Sequence, residues 1–180
     1  MPTPEETLRT RLVSVPPGRS GWQEFENAAT AALKHLFVPP LAEPITQARS
    51  YSGIDRRDAI FPNRNHGERN HWGRLLHELD ARMVLVEFKN YGKEDIGKDE
   101  VNQTRNYLTK PLGRLALVVS TKEPDRAAHI KRNTIYSEEA KVILFLTVAH
   151  LEEMLHMAER GEDPADLVMD AIERFYIAWE

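Results

Sequence analysis

Apolar positions along the chain recur with two spacings, one typical of strands and one typical of helices. Short apolar or alternating runs predict strands at residues 45–51, 54–61, 83–89, 115–120 and 142–146. Apolar residues three and four positions apart predict two helices that close the chain after residue 150, and earlier ones at residues 4–12, 21–37, 70–79, 99–108 and 124–133. This order favours an α/β fold, a single three-layer domain with a central mixed β-sheet flanked by helices and an extra C-terminal strand and two helices.

Proline and glycine positions indicate how the chain is divided. Residues 14–20 contain Pro16, Pro17 and Gly18, and we expect them to form a linker after a first helix that Thr3 caps. We therefore predict an N-terminal extension and linker at residues 1–20 and one domain at residues 21–180. Within that domain the motifs described below occupy residues 21–120, and residues 121–180 are a C-terminal extension.

The helix predicted at residues 21–37 has a glutamate on its apolar side. Ser20 and Gln23 have the spacing of a capping box, and the inward stripe begins at Trp22. At about 100° per residue, Glu26 lies roughly 40° from Trp22, whereas Glu24 lies roughly 160° from it. Glu26 is therefore predicted to lie on the inward side of the helix, either aimed at a partner or at the edge of the stripe, where it would reach water.

The strand predicted at residues 83–89 ends with two charges on one face. Met83 to Val86 is an apolar run, and Glu87 and Lys89 follow it two positions apart. Because successive side chains on a strand alternate between faces, both charges point to the same side. A buried charge is costly unless it is paired, hydrogen-bonded or bound to a metal, so this strand end predicts either an ion pair that reaches solvent or a functional site.

Composition narrows the class of protein. The 180 residues are 41% hydrophobic and 29% charged and include no cysteine, which excludes a disulfide framework and a thiolate zinc site. No apolar run approaches the length of a membrane span, and the start of the chain lacks the apolar segment of a secretory signal, so we expect a cytoplasmic protein that does not bind membranes.

The net charge of −4 conceals an uneven distribution. Residues 151–180 have a local charge of −7, which leaves +3 for the first 150 residues. The acidic C-terminal helices favour contact with a second copy or a partner protein. The buried stripe of the last helix is predicted to end at Trp179.

A short stretch of the first half of the chain is rich in arginine, which is compatible with phosphate contacts or with a solvated loop. These residues are Arg49, Arg56, Arg57, Arg64, Arg69 and Arg74. The helix at residues 124–133 is predicted to expose Arg126, Lys131 and Arg132.

Hydrolysis of a phosphodiester with a metal requires hard oxygen ligands, a group near the attacking water and stabilisation of phosphoryl charge. The chain offers such groups on separate predicted elements, and these are Glu26, Asp58, Glu87, Lys89, Gln103 and Tyr107. Gln103 and Tyr107 are four positions apart and so share a helical face.

In these motifs the chain resembles the PD-(D/E)xK nuclease superfamily, whose members have the restriction-endonuclease-like fold. The resemblance rests on Glu26, on Arg-Arg-Asp ending at Asp58, on the triplet Glu87-Phe88-Lys89, and on the QxxxY spacing of Gln103 and Tyr107. It implies that Asp58, Glu87 and the backbone carbonyl of Phe88 bind Mg²⁺, for which Mn²⁺ can substitute. It also implies that Lys89 positions the attacking water, that Glu26 assists the metal or its waters, and that Gln103 orients the site.

The chain departs from the family pattern at one position, and the choice of one metal ligand stays open. Arg57 stands where the family name has a proline, and Asp55, on the opposite face of the strand, is the rival of Asp58 as the metal ligand. The resemblance favours Asp58.

We thus expect a Mg²⁺-dependent endonuclease that acts on DNA, in bacterial defence or restriction. The residues expected to bind nucleic acid are Arg56, Arg57, Arg64, Arg69 and Tyr107. The alternatives are a catalytically silent binding or regulatory subunit with the nuclease fold, a nuclease of DNA repair or recombination, and a structural subunit of a larger complex.

Overall fold

A five-stranded open sheet forms the centre of the computed structural model, which describes residues 1–179. Its strands are side by side in chain order: β1 (Ile45–Arg49), β2 (Arg56–Pro62), β3 (Met83–Lys89), β4 (Leu115–Ser120) and β5 (Val142–Thr147). The pairs β1–β2 and β2–β3 are antiparallel, and β3–β4 and β4–β5 are parallel. The predicted mixed sheet is therefore confirmed.

Seven α-helices flank this sheet within residues 1–179. They are α1 (Pro4–Ser14), α2 (Trp22–Phe37), α3 (His71–Leu79), α4 (Lys98–Tyr107), α5 (Arg126–Glu139), α6 (Val148–Glu159) and α7 (Ala165–Ala178). None of them combines the length and apolar character that a membrane span requires.

Two apolar cores, one on each side of the sheet, give the predicted three layers. Alternation along β3 sends Val84, Val86 and Phe88 into a core with α1, α2, α3, α6 and α7. It sends Leu85 into a second core, in which residues of α4 and α5 cover the other face. The strand β3 is buried on both faces because it lies in the middle of the sheet, and its apolar run reflects that position.

Several helix ends differ from the prediction. The start of α2 follows a 3₁₀ turn at Arg19–Gly21, and Gly21 occupies its N-cap position without a side-chain hydrogen bond. The predicted capping box of Ser20 and Gln23 is therefore wrong, because Ser20 lies inside the 3₁₀ turn. Trp22 and Trp179, both predicted to point inward, are 43% and 41% exposed, since each stands at the end of its helix.

The N-terminal segment packs against the domain. Leu12 and Val15 are buried in the larger core, and Arg9 forms an ion pair of 3.0 Å with Glu159 of α6. The following segment is held by Asn90, whose Nδ2 donates to the carbonyl oxygens of Pro16 and Gly18 at 3.1 and 3.0 Å. Residues 1–20, predicted as an extension and linker, thus reach the end of β3.

The strands β2 and β3 separate at one end of the sheet. Their pairing runs from Pro62 opposite Met83 to Ala59 opposite Val86 and does not continue beyond it. The next residues on the two strands are Asp58 and Glu87, whereas β3 stays paired with β4 as far as Lys89. A gap between strands therefore opens at the position of the predicted site.

Candidate active site

A cleft of about 250 Å³ opens where β2 and β3 separate, between α2 on one face of the sheet and α4 on the other. It is lined by Trp22, Glu26, Ile54, Arg56, Asp58, Glu87, Phe88, Lys89, Gln103 and Tyr107. The structure therefore brings together every residue predicted for catalysis or metal binding, from two helices and two strands that are far apart in the chain.

Asp58 is fixed against the triplet on β3. Its Oδ2 accepts a hydrogen bond of 2.9 Å from the backbone N–H of Phe88. Asp55, its rival, lies in the turn between β1 and β2, where its carbonyl oxygen accepts a hydrogen bond of 2.9 Å from the N–H of Ser50. Asp55 does not line the cleft, so the structure brings Asp58 and not Asp55 to Glu87.

Glu87 is a buried carboxyl group with an unsatisfied oxygen. The residue is 2% exposed, and its Oε1 is buried without a hydrogen-bond partner among residues 1–179. Its Oε2 lies 4.0 Å from Nζ of Lys89. Burial, followed by the nearby charge of Asp58, raises the pKa of Glu87 to about 8 despite the attraction of Lys89. Near neutral pH, Glu87 thus retains its proton unless a cation displaces it.

Three polar side chains form a chain of hydrogen bonds along one wall. Nζ of Lys89 donates to Oε1 of Gln103 at 2.8 Å, and Nε2 of Gln103 donates to the hydroxyl of Tyr107 at 2.9 Å. The predicted shared face of Gln103 and Tyr107 on α4 makes this arrangement possible. The amide of Gln103 therefore sets the direction of the Lys89 ammonium.

Glu26 faces the cleft from α2, as its helical position predicts. It is 6% exposed, and burial and then the charge of Asp58 raise its pKa. Nε2 of Gln47 on β1 donates to its Oε1. Gln47 has a φ of 53°, which is uncommon for a residue other than glycine and is one form of backbone strain found at functional sites. No pattern in the sequence singles out Gln47.

The predicted arginine surface is divided by the fold. Arg56 lines the cleft, but Arg57 is 8% exposed, and its Nε donates to the carbonyl oxygen of Tyr107 at 3.1 Å. Arg64 and Arg69 follow the opposite end of β2. That end lies about 20 Å from Arg56, because Pro62 is six strand residues further along. The expectation that Arg57, Arg64 and Arg69 contact nucleic acid beside the site is not supported, because one is buried and two lie beyond the far end of the strand.

The donor set fits a hard divalent cation. Asp58 and Glu87 supply carboxylate oxygens, Phe88 lines the same cleft, and the unpartnered Oε1 of Glu87 is the type of atom that a cation would satisfy. Elsewhere, His71, Asp163 and Asp166 bring ligand atoms within 4.8 Å of one another, but His71 and Asp166 already share a hydrogen bond of 2.6 Å at the surface. None of these three residues has a buried polar atom that lacks a hydrogen-bond partner and that a cation would satisfy.

The chain is similar to a known protein over most of its length. A protein of Escherichia coli strain K12 described as "Putative transposon gamma-delta 80.3 kDa protein" is 28% identical over 171 residues. The match covers 93% of this chain but 23% of that protein, so the chain spans about a quarter of its length. No family model matches the chain. No solved structure matches it significantly.

Proposed function

We propose that the protein is a Mg²⁺-dependent endonuclease of the PD-(D/E)xK superfamily that hydrolyses phosphodiester bonds of DNA. The observation that carries the proposal is Glu87 Oε1, a buried carboxyl oxygen without a donor, beside Asp58 and within reach of Lys89. A purely structural ion pair would not explain this unpartnered oxygen, because the carboxylate of Asp58 lies near Glu87 and Nζ of Lys89 is 4.0 Å from Oε2 of Glu87.

The cleft residues predicted for catalysis and metal binding would have distinct roles. Asp58, Glu87 and the Phe88 carbonyl would hold Mg²⁺ or Mn²⁺, and the cation would supply Lewis-acid activation of the phosphodiester and the attacking water. Lys89, held by Gln103, would orient that water and offset negative charge that develops on the phosphoryl oxygens. Glu26, held by Gln47, would accept hydrogen bonds from waters at the cation.

The hairpin of β1 and β2 offers the surface for the nucleic acid. Arg49 and Arg56 lie directly opposite each other on the two strands, and both are exposed. Like charges placed opposite each other destabilise a sheet, so this pair calls for an anion such as a backbone phosphate. The hairpin also exposes Tyr51 and Ile54 almost fully, and Ile54 reaches the cleft, so these side chains would contact sugars or bases.

The choice of DNA over RNA and the biological setting rest on the related protein. The related protein is described by its transposon, which is a DNA element, and this favours DNA as the substrate and a role in mobile DNA. Restriction, antiviral defence and DNA repair use the same chemistry on the same substrate.

The test is cleavage of supercoiled plasmid DNA with Mg²⁺ or Mn²⁺ by the wild-type protein and by Asp58→Ala, Glu87→Ala and Lys89→Ala. We expect each substitution to abolish cleavage. Asp55→Ala is the matched control, because it removes a carboxylate from the same hairpin outside the cleft, and it should cleave normally. Cleavage that persists in all three cleft variants, or that is lost equally in the control, would overturn the proposal.

A further inference from the structure

A second and larger cleft lies at the opposite edge of the sheet from β1. It has a volume of about 630 Å³ and is formed by α5, α6 and α7, with no residue in common with the candidate active site. Leu167, Ala171 and Phe175 of α7 make an apolar wall. The charged and imidazole groups on the cleft are Arg132 and His129 of α5, His150 and Glu153 of α6, and Asp170 and Arg174 of α7.

Arg132 is the unusual member of this set. Its guanidinium carbon lies 4.5 Å from the ring centre of Phe175 and 5.1 Å from that of Phe145 on β5, so two aromatic rings hold the group. The prediction that Arg132 is exposed is therefore wrong, because the strand and the last helix cover much of it. Lys131, the preceding residue, does not line the cleft.

No acidic side chain within residues 1–179 compensates this half-buried cation. Arg132 makes no ion pair or hydrogen bond with the residues that the structure describes, and its Nε is buried without an acceptor. Burial alone lowers the pKa of Arg132 to about 10. A half-buried guanidinium without a counter-charge costs free energy that contact with aromatic rings only partly offsets, and a bound anion would supply that counter-charge.

The remaining groups indicate what else the anion carries. Nδ1 of His150 accepts a hydrogen bond of 2.9 Å from the N–H of Thr147, which leaves Nε2 as the protonated nitrogen of the neutral ring. Glu153 and Asp170 are exposed and line the same cleft, and Glu153 already accepts from Arg160 at 3.2 Å. These carboxylates would repel a simple anion but would accept hydrogen bonds from hydroxyl or amino groups attached to one.

We propose that this cleft binds a nucleoside monophosphate or a closely similar phosphate monoester, with Arg132 as the phosphate anchor. The planar N–H fork of a guanidinium matches two oxygens of a phosphate group. His150 and Arg174 are further cleft residues that offer donors, the apolar wall of α7 would receive the base, and the acidic residues would accept from the ribose hydroxyls. The proposal is independent of nuclease activity, because it concerns another cleft.

The test measures binding of adenosine monophosphate, inorganic phosphate and adenosine to the full chain by calorimetry without divalent cations. We expect adenosine monophosphate to bind more tightly than either fragment. Arg132→Gln should weaken its binding roughly tenfold or more, as loss of a charge-assisted hydrogen bond predicts. Lys131→Gln, the matched control on the same helix, should bind as the wild type does.

A second variant protects the test against misfolding of the first. Leu167→Trp keeps Arg132 but fills the apolar side of the cleft, and it should abolish binding of adenosine monophosphate while leaving the thermal transition of the protein in place. Equal affinity in the wild type, Arg132→Gln and Leu167→Trp would overturn the proposal. Absence of binding of adenosine monophosphate to the wild type would also overturn it.

Discussion

The carboxylate of Asp58 accepts a hydrogen bond of 2.9 Å from the backbone N–H of Phe88. This bond joins β2 to β3 one step beyond the last backbone pair, Ala59 with Val86. A side chain thus connects the strands where the regular ladder ends, and it also fixes the carboxylate beside Glu87. The position of the proposed metal ligands therefore follows from the separation of the strands.

Replacement of Asp58 by asparagine should separate its two roles. The amide oxygen of asparagine can still accept from Phe88, so the fold should persist, but the loss of negative charge should weaken Mn²⁺ binding roughly tenfold or more. Titration calorimetry with Mn²⁺ measures this change. Asp55→Asn should bind Mn²⁺ as the wild type does, and a larger loss in Asp55→Asn than in Asp58→Asn would reverse the assignment of the ligand.

Metal affinity should depend on pH through Glu87. Its pKa of about 8 in the metal-free protein means that a cation must displace a proton at lower pH. Below about pH 8 the apparent affinity for Mg²⁺ should fall by up to tenfold per pH unit, and above it the affinity should level off. Calorimetry in buffers of different ionisation enthalpy counts the released proton. Proton release close to zero at neutral pH would contradict a protonated Glu87.

Substitution of Glu87 should make the metal-free protein more stable. Because the folded state raises the pKa of Glu87, it binds more protons than the unfolded state between about pH 4.5 and about pH 8, so the free energy of unfolding falls as pH rises through that range. Glu87→Gln keeps the shape without the charge and should be more stable near pH 8, by on the order of 4 kcal/mol.

Urea denaturation at several pH values without divalent cations measures this difference. Glu24→Gln on α2 is the control, since it makes the same chemical change at an exposed position outside the cleft. If Glu87→Gln and the wild type keep the same pH dependence of stability, Glu87 does not retain its proton in the folded protein.

The parts of the site that the sequence predicts are those that periodicity determines. The side chains of Glu87 and Lys89 share a face because strands alternate, and Glu26 points inward because it falls on the apolar side of α2. The order of elements was sufficient to predict a mixed sheet, because a short turn joins the antiparallel strands β1 and β2, whereas helices join the parallel strands β3, β4 and β5. The strands β2 and β3 are antiparallel although α3 lies between them.

The parts that escape prediction depend on tertiary placement. The left-handed backbone of Gln47 turns its amide toward Glu26, and nothing local distinguishes this glutamine from an ordinary strand residue. Nearness in sequence also suggests a single arginine surface, whereas Arg56 begins β2 and Arg64 follows its opposite end. Charged residues that are close in sequence form one surface only where the chain between them does not cross the domain.

The division of the arginines makes a final prediction about DNA binding. Arg49 and Arg56 face each other beside the cleft, so their replacement by alanine should weaken binding of a duplex oligonucleotide. It should also reduce the slope of log affinity against log salt concentration. The reduction should be roughly one unit for each phosphate that an arginine no longer neutralises. The double variant of Arg64 and Arg69 removes the same charge from the far end of β2 and should preserve that slope. Fluorescence anisotropy over a range of salt concentrations, with Ca²⁺ in place of Mg²⁺ to suppress cleavage, measures both. A greater reduction of the slope in the second variant would place the DNA on the other end of the sheet, away from Asp58 and Glu87.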